Sequence, residues 1–217
     1  MLAPEGYSTI AFVLVISLFT GWLASFFDNW ISTTIYILLG ALCLLIVFFF
    51  RDPDRAVTDD DNLILAPADG KVVQIRNESN VPYINADATR ISIFLSPLDV
   101  HVNRVPVSGE IEYVEYFPGK YMMAWEDHAS EQNERAHFGV LHPSGRKFLF
   151  KQITGFLARR IVYHLNEGDS VKAGDRFGIM KFGSRMDVLI PDGIKLKVKE
   201  GDRTVAGITV IGELIIS

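Results

Sequence analysis

Two uninterrupted apolar runs open the chain, and short alternating runs fill the rest. From Gly6 to Phe27 no residue carries a charge, and none does from Trp30 to Phe50. At ~1.5 Å rise per residue, each run is long enough as a helix to cross ~30 Å of hydrocarbon. Neither has a polar face, which argues against a buried pair in a soluble core. Only Asp28 and Asn29 separate them. So short a connection forces two spanning helices, about 7–27 and 30–50, into an antiparallel hairpin whose ends share one side of a membrane. A signal peptide fits poorly, because Met1–Tyr7 has no Lys or Arg and a second full-length run follows directly. Arg51 and Arg55 follow the second run, while the connecting turn has no cation. The positive-inside rule therefore predicts an anchor in the cell (inner) membrane with the C-terminal part in the cytoplasm.

Beyond residue 50 the pattern changes period. "RDPDR" opens a juxtamembrane linker over 51–62, and residues 63–217 are about the size of one domain. Short period-2 or fully apolar runs recur there: "KVVQI", "RISIFL", "GEIEYVEYF", "KFLFKQI", "RRIVYHL", "DVLIP" and "IKLKV", separated by Gly, Pro, Asp and Asn clusters. Helical periodicity is weak and confined to Tyr121–Arg135. The prediction is a mostly β, largely antiparallel domain. Two internal echoes refine it. "APADGKVVQI" (Ala66–Ile75) resembles "VPVSGEIEYV" (Val105–Val114), and "EGDSVKAG" (Glu167–Gly174) resembles "EGDRTVAG" (Glu200–Gly207). Such echoes suit a folded-over, barrel-sandwich-hybrid-like domain in which similar hairpins face each other, and they are too short for a repeat array.

Composition narrows the function classes. The chain is 49% hydrophobic with mean hydropathy +0.22, high for a purely soluble domain. All 21 Lys and Arg lie after Phe50 with 24 of the 26 acidic residues, a balance of −3 that is not the signature of a nucleic-acid binder. The single cysteine, Cys43, lies inside the second apolar run, so neither a disulfide framework nor a CxxC metal site exists. His128, His137, His142 and His164 have no metal-ligand spacing, and no metal is expected.

Candidate chemistry gathers at four turns. Asp69 stands in "PADG", Asp99 and His101 in "SPLDVHVNRVP", Asn133, Glu134 and Arg135 in "NER", and Gly183-Ser184 in "KFGSRMDVLIP". Each has a plain alternative. Asp-Gly and Gly-Ser are ordinary turn pairs, His101 suits a half-buried strand position, and Glu134 with Arg135 suits a surface ion pair.

Taken together and in order, "FFFRDPDR", "PADGKV", "LSPLDVHVNRVPVSG", "NER" and "KFGSRMDVLIP" resemble the phosphatidylserine decarboxylase family in its short bacterial and archaeal form. The resemblance covers essentially the whole chain. It implies a lyase of phospholipid biosynthesis, made as an inactive proenzyme, that converts phosphatidylserine to phosphatidylethanolamine. Self-cleavage at Gly183-Ser184 would give a β chain of residues 1–183 and an α chain from 184–217, which stay associated. The cofactor implied is a pyruvoyl group derived from Ser184, which forms a Schiff base with the substrate amine, with no pyridoxal phosphate. A small residue before the serine suits such chemistry, because glycine leaves its carbonyl open and tolerates a strained backbone. By the same resemblance Asp69 and His101 are candidate proton-transfer residues. Arg104, Glu134 and Arg135 are candidate substrate-binding residues.

One departure from the family pattern stands out. Longer relatives carry a second histidine three residues after the first, in an H-x-x-H spacing, and this chain has Arg104 there. Whether His101 takes over that histidine's part in cleavage, or Arg104 binds carboxylate or phosphate, the sequence leaves open. "EYFPGKYMMAW" (Glu115–Trp125) suits a headgroup boundary or a core equally. A homo-oligomer is left open. The rival from another class is a membrane-anchored biotinyl- or lipoyl-like carrier, in which Lys181 after the "GDSVKAGD" turn would be the modified residue. "PADG" and "DVHVNRVP" have no role in a carrier.

Overall fold

A computed structural model describes residues 1–27, 30–124, 129–156, 160–181 and 183–215. The chain divides into two compact units, Met1–Asp54 and Arg55–Ser217.

The first unit is a helical pair, α1 (Tyr7–Ala24) and α2 (Trp30–Phe49). Their composition makes them apolar around the whole circumference, so side chains such as Phe12, Leu18, Trp30 and Leu44 are exposed. Where the helices touch, polar groups find partners within the pair. The Tyr36 hydroxyl donates to the Gly21 carbonyl at 3.2 Å, and the Cys43 thiol lies 3.4 Å from Ser17 Oγ. The ends meet too, with the Ala3 N–H donating to the Phe50 carbonyl at 2.8 Å. α1 stops at Ala24, short of the expected Phe27, and the connecting pair Asp28-Asn29 lies outside the described residues.

The second unit is built from fourteen described strands and one helical turn. In chain order they are β1 (Leu63–Leu65), β2 (Gly70–Val81), β3 (Ala86–Leu95), β4 (Val102–Arg104), β5 (Gly109–Phe117), α3 (Ala129–Gln132), β6 (Arg135–Leu141) and β7 (Lys147–Ile153). They continue with β8 (Ile161–Tyr163), β9 (Ser170–Val171), β10 (Arg176–Met180), β11 (Ser184–Pro191), β12 (Ile194–Leu196), β13 (Arg203–Thr204) and β14 (Val210–Leu214). An eight-stranded sheet runs β13-β2-β3-β11-β7-β6-β5-β9, and two three-stranded sheets run β1-β14-β12 and β4-β10-β8. Every ladder is antiparallel. The mostly β expectation holds. The helix expected over Tyr121–Arg135 is reduced, among the described residues, to the single turn α3.

The two sequence echoes turn out to be partners. Segment 200–207 binds along segment 66–75 at one edge of the large sheet, and segment 167–174 binds along 105–114 at the other. Gly201 N–H donates to Val72 O and Val72 N–H to Asp202 O (2.8 and 2.9 Å). At the opposite edge Gly168 N–H donates to Ile111 O and Ile111 N–H to Asp169 O (2.8 and 2.9 Å). The side chains repeat the scheme. Glu200 Oε1 accepts from Ile75 N–H at 2.8 Å, and Glu167 Oε1 from Val114 N–H at 3.1 Å. One edge motif thus occurs twice and gives β2 and β5 a short partner where each would otherwise present bare backbone.

Alternation along the strands separates two faces. Met186, Val188 and Ile190 of β11 pack into the main core with Ile91, Ile93, Phe138, Phe148, Phe150 and Phe177. The other face carries a polar row in register across five strands: Ser92, Asp187, Lys151, His137 and Glu115. Asp187 has no exposure and is held by Arg185 Nε at 2.6 Å and Ser130 Oγ at 2.7 Å. Burial alone would raise its pKa. Arg185, Arg90 and Ser130 outweigh that and hold the carboxyl below its ordinary range. On His137, burial and then the neighbouring Lys151 and Arg135 act in the same direction and push its pKa down to about 3.

A neutral, half-buried His137 makes stability depend on pH. Its folded pKa lies below the unfolded value of about 6.5, so the unfolded chain takes up the proton first and stability falls as pH drops from about 6.5 toward 3. The melting temperature of the full chain should fall between pH 7 and pH 4.5, and His137→Leu should flatten that slope. An unchanged slope would remove His137 as its source.

Candidate active site

β11 is the centre of the site because it lies between β3 and β7 and is bonded along both sides. Ser184 is its first residue, opposite Leu95 of β3. The side chain has no exposure, and its Oγ has no hydrogen-bond partner among the described residues. Gly183 before it sits at φ +70°, which an L side chain rarely adopts. A Cβ there would have only Pro97 Cγ nearby, at 3.9 Å. The glycine is therefore required by backbone conformation, not by crowding.

His101 reaches this linkage from the loop between β3 and β4. A tight turn fixes that loop: Asp99 N–H donates to Ser96 O, and Asp99 Oδ2 accepts from Ser96 N–H. The His101 ring is fully buried, with Nδ1 2.9 Å from the Asp99 carbonyl and Nε2 3.3 Å from the Gly183 N–H. A carbonyl can only accept and an N–H can only donate, so the partners define a neutral imidazole with its proton on Nδ1 and its lone pair on Nε2. That lone pair lies one residue from the Ser184 hydroxyl. A ring nitrogen bonded to the Gly183 amide, with an unpartnered hydroxyl on the next residue, is an arrangement suited to intramolecular acyl transfer.

The opposite wall comes from Gly155, which the sequence did not single out, and from Asn133 of "NER". A Cβ on Gly155 would lie 2.5 Å from the Gly183 carbonyl oxygen and 3.1 Å from Ala124 Cβ, so only glycine lets the chain pass so close to that carbonyl. Asn133 holds this wall. Fully buried, it accepts from Met122 N–H at 2.9 Å through Oδ1, and its Nδ2 donates to Met122 O at 2.9 Å and Thr154 O at 2.8 Å. The "NER" motif had drawn attention to its charged members, yet its neutral amide carries the architecture around the linkage. Nothing about Gly155 in "KQITGF" could have been read without the fold.

The remaining candidates are dispersed. The Asp69 carboxylate is taken up by Arg55 Nη2, at 2.9 and 3.2 Å to its two oxygens, and by the Ala206 N–H at 2.8 Å. None of its bonds goes to His101 or Ser184. Arg104 Nη1 donates to the Gly174 carbonyl at 2.8 Å, and the residue lines a cavity of about 580 Å³ with Asp59, Asp175 and Arg176. Glu134 is buried and accepts from the Tyr116 hydroxyl. Arg135 lies 4.4 Å over the Phe117 ring. In register it is aligned with Ile153 and Arg185, on the face away from the Ser184 side chain. So Glu134 and Arg135 have different partners, the Tyr116 hydroxyl and the Phe117 ring, and not each other. Lys181 follows β10 directly and is half-buried. Among the described residues no group of His, Cys, Asp and Glu could hold a metal ion.

Comparison with known proteins gives the family. The family model for phosphatidylserine decarboxylase matches residues 42–212. A phosphatidylserine decarboxylase proenzyme of Salinibacter ruber is 54% identical over 187 residues, 85% of this chain and 82% of the relative. Proenzymes of the same name from Chlorobium phaeobacteroides and Symbiobacterium thermophilum are 43% and 40% identical, over 98% and 99% of this chain and 99% and 96% of theirs. A mostly β domain with this site is thus that of a carboxy-lyase class. The chain belongs to the phosphatidylserine decarboxylase family.

The Asn133 clamp yields a stability prediction. Asn133→Leu removes three hydrogen bonds and leaves backbone groups of half-buried Met122 and buried Thr154 unpaired, at a cost of about 1–3 kcal/mol for each group kept from water. Denaturant unfolding should show a loss of several kcal/mol, on the order of 3 or more. A loss below about 1 kcal/mol would mean that the clamp is not what holds the wall.

Proposed function

We propose that this chain is a membrane-anchored proenzyme that cuts itself at Gly183-Ser184 and then decarboxylates phosphatidylserine to phosphatidylethanolamine. The observation that carries the proposal is the contact of His101 Nε2 with the Gly183 amide, next to the buried, unpartnered Ser184 Oγ, in a chain of this family.

In the cut, Ser184 Oγ attacks the Gly183 carbonyl carbon. His101 Nε2 takes the hydroxyl proton and returns it to the departing Ser184 nitrogen, so the amide becomes an ester with a free amine. Loss of the Ser184 α-proton and cleavage of the Cβ–O bond release Gly183 as a carboxylate. Water then replaces the nitrogen of the resulting dehydroalanine, and ammonia leaves. The uncut linkage fits this origin of the prosthetic group, since its glycine has a positive φ, its carbonyl lies against Gly155, and its serine hydroxyl has no partner among the described residues. The pyruvoyl group so formed supplies a ketone that condenses with the substrate amine and accepts the electrons left as carbon dioxide departs.

His101, still held through Nδ1, remains to exchange protons at the same end of β11. Asp69 is assigned a positioning part, fixing the turn before β2 through Arg55 and Ala206. Arg104 is assigned no part in the cut, and Lys181 no acylation. The two pieces would stay together, because β11 is bonded by β3 and β7, β13 by β2 and β14 by β1. α1 and α2, of 18 and 20 residues, support a spanning hairpin that keeps the domain at the lipid surface. The positive flank at Arg51 and Arg55 favours the cytoplasmic side of the inner membrane.

Intact mass of the purified chain should show two pieces divided after Gly183, the smaller without a free amino terminus. Ser184→Ala should stay full length and release no carbon dioxide from phosphatidylserine, with or without added pyridoxal phosphate. A wild-type chain that stays whole, or a Ser184→Ala chain that decarboxylates, would overturn the proposal.

A further inference from the structure

Five buried side-chain polar atoms have no hydrogen-bond partner among the described residues: Arg90 Nε, His137 Nε2, Asn103 Nδ2, Gln152 Oε1 and Ser184 Oγ. The first two belong to the charged face of the sheet. The other three lie together on the core side. Gln152 stands opposite Met186 in register, and Ser184 precedes Met186 by two residues, on the same face of β11. Gln152 is therefore the diagonal neighbour of Ser184, at roughly 7–8 Å. Asn103 follows His101 by two residues, and its Oδ1 accepts from Gln152 Nε2 at 2.8 Å. Both amides have no exposure.

That bond engages one polar atom of each amide and leaves the other two, a donor on Asn103 and an acceptor on Gln152, without a partner among the described residues. Exchanging oxygen and nitrogen on both amides gives the same inventory, so this conclusion does not depend on how they are oriented. A buried polar atom left uncompensated destabilises the fold, while an apolar pair of the same shape would be nearly neutral. Two amides kept at that cost beside the reacting residue call for a ligand that presents an acceptor and a donor together.

We infer that Asn103 and Gln152 recognise the α-amino-acid headgroup of the substrate, the donor binding its carboxylate and the acceptor its nitrogen-bound hydrogen. This rests on the proposed decarboxylase reading and extends it to substrate choice. The product headgroup has lost the carboxylate and can satisfy only half of the pair, which favours its release. In the uncut chain the two atoms are covered. The cut breaks the bond that ties Gly183 to β11 and frees its segment to leave His101, so recognition follows processing.

The test uses the full chain in mixed micelles with phosphatidylserine. Asn103→Leu with Gln152→Met keeps size and removes both free groups. The double variant should be cut as fully as wild type. Its KM for phosphatidylserine should rise about tenfold or more with kcat within about threefold, because a bond to a charged group has been lost from the ground state. Inhibition by phosphatidylethanolamine should change less than about twofold. Asn103→Asp and Gln152→Glu, each close to isosteric, provide the same comparison if the double variant fails to fold. They should weaken phosphatidylserine selectively by placing an oxygen against its carboxylate. An unchanged KM, a parallel change for both lipids, or loss of the cut would each overturn the inference. A wild-type chain that is cut yet inert toward phosphatidylserine would instead overturn the decarboxylase reading.

Discussion

Everything at the site depends on β11 being an interior strand. Hydrogen bonds to β3 on one side and β7 on the other fix Ser184 in register, and the main core packs beneath Met186, Val188 and Ile190. A strand held on both sides cannot slip without turning its whole apolar set outward. The peptide entering it is accordingly pinned at one end, and the adjustable part is Gly183 at its positive φ. His101, held at Nδ1 by the Asp99 carbonyl, then places Nε2 against the Gly183 N–H of that peptide. Rigid register on one side and an oriented base on the other are what preorganise the linkage.

The duplicated edge motif explains how so central a strand is obtained from short segments. Residues 66–75 with 200–207, and 105–114 with 167–174, cover the two ends of the large sheet by the same backbone and glutamate bonds. β11 and its neighbours lie between them. Part of the motif, 200–207, belongs to the C-terminal segment beyond Gly183, so both sides of the linkage contribute to one sheet. A cut there severs one peptide bond and leaves the ladders that join the two pieces.

Much of this was legible in the sequence, and the limits follow from physics. Uncharged runs of helix-spanning length, period-2 strands and the echoes in "GD-x-x-x-AG" and "P-x-x-G" depend on local pattern, and the fold realises them. The order of the motifs carried the family. What local pattern cannot show is which face a turn residue addresses. "PADG" and "DVHVNRVP" both looked catalytic, yet Asp69 is taken up by Arg55 while His101 meets Gly183. Glu134 and Arg135 looked like a pair, yet Glu134 bonds the Tyr116 hydroxyl while Arg135 lies over the Phe117 ring. Asn133 is distinguished by its bonds to distant backbone, Gly155 by close approach, and Asn103 and Gln152 by missing partners, properties that exist only once distant segments are side by side.

The central claim is that His101, in the neutral form fixed by Asp99, drives the reaction of Ser184 with Gly183. The direct measurement is the rate at which freshly synthesised full-length chain converts to two pieces, followed by intact mass for wild type and His101→Ala under the same conditions. The account predicts a first-order conversion that slows by about 10²–10⁴-fold in the variant, the usual contribution of a positioned general base. Conversion of His101→Ala at the wild-type rate would contradict it.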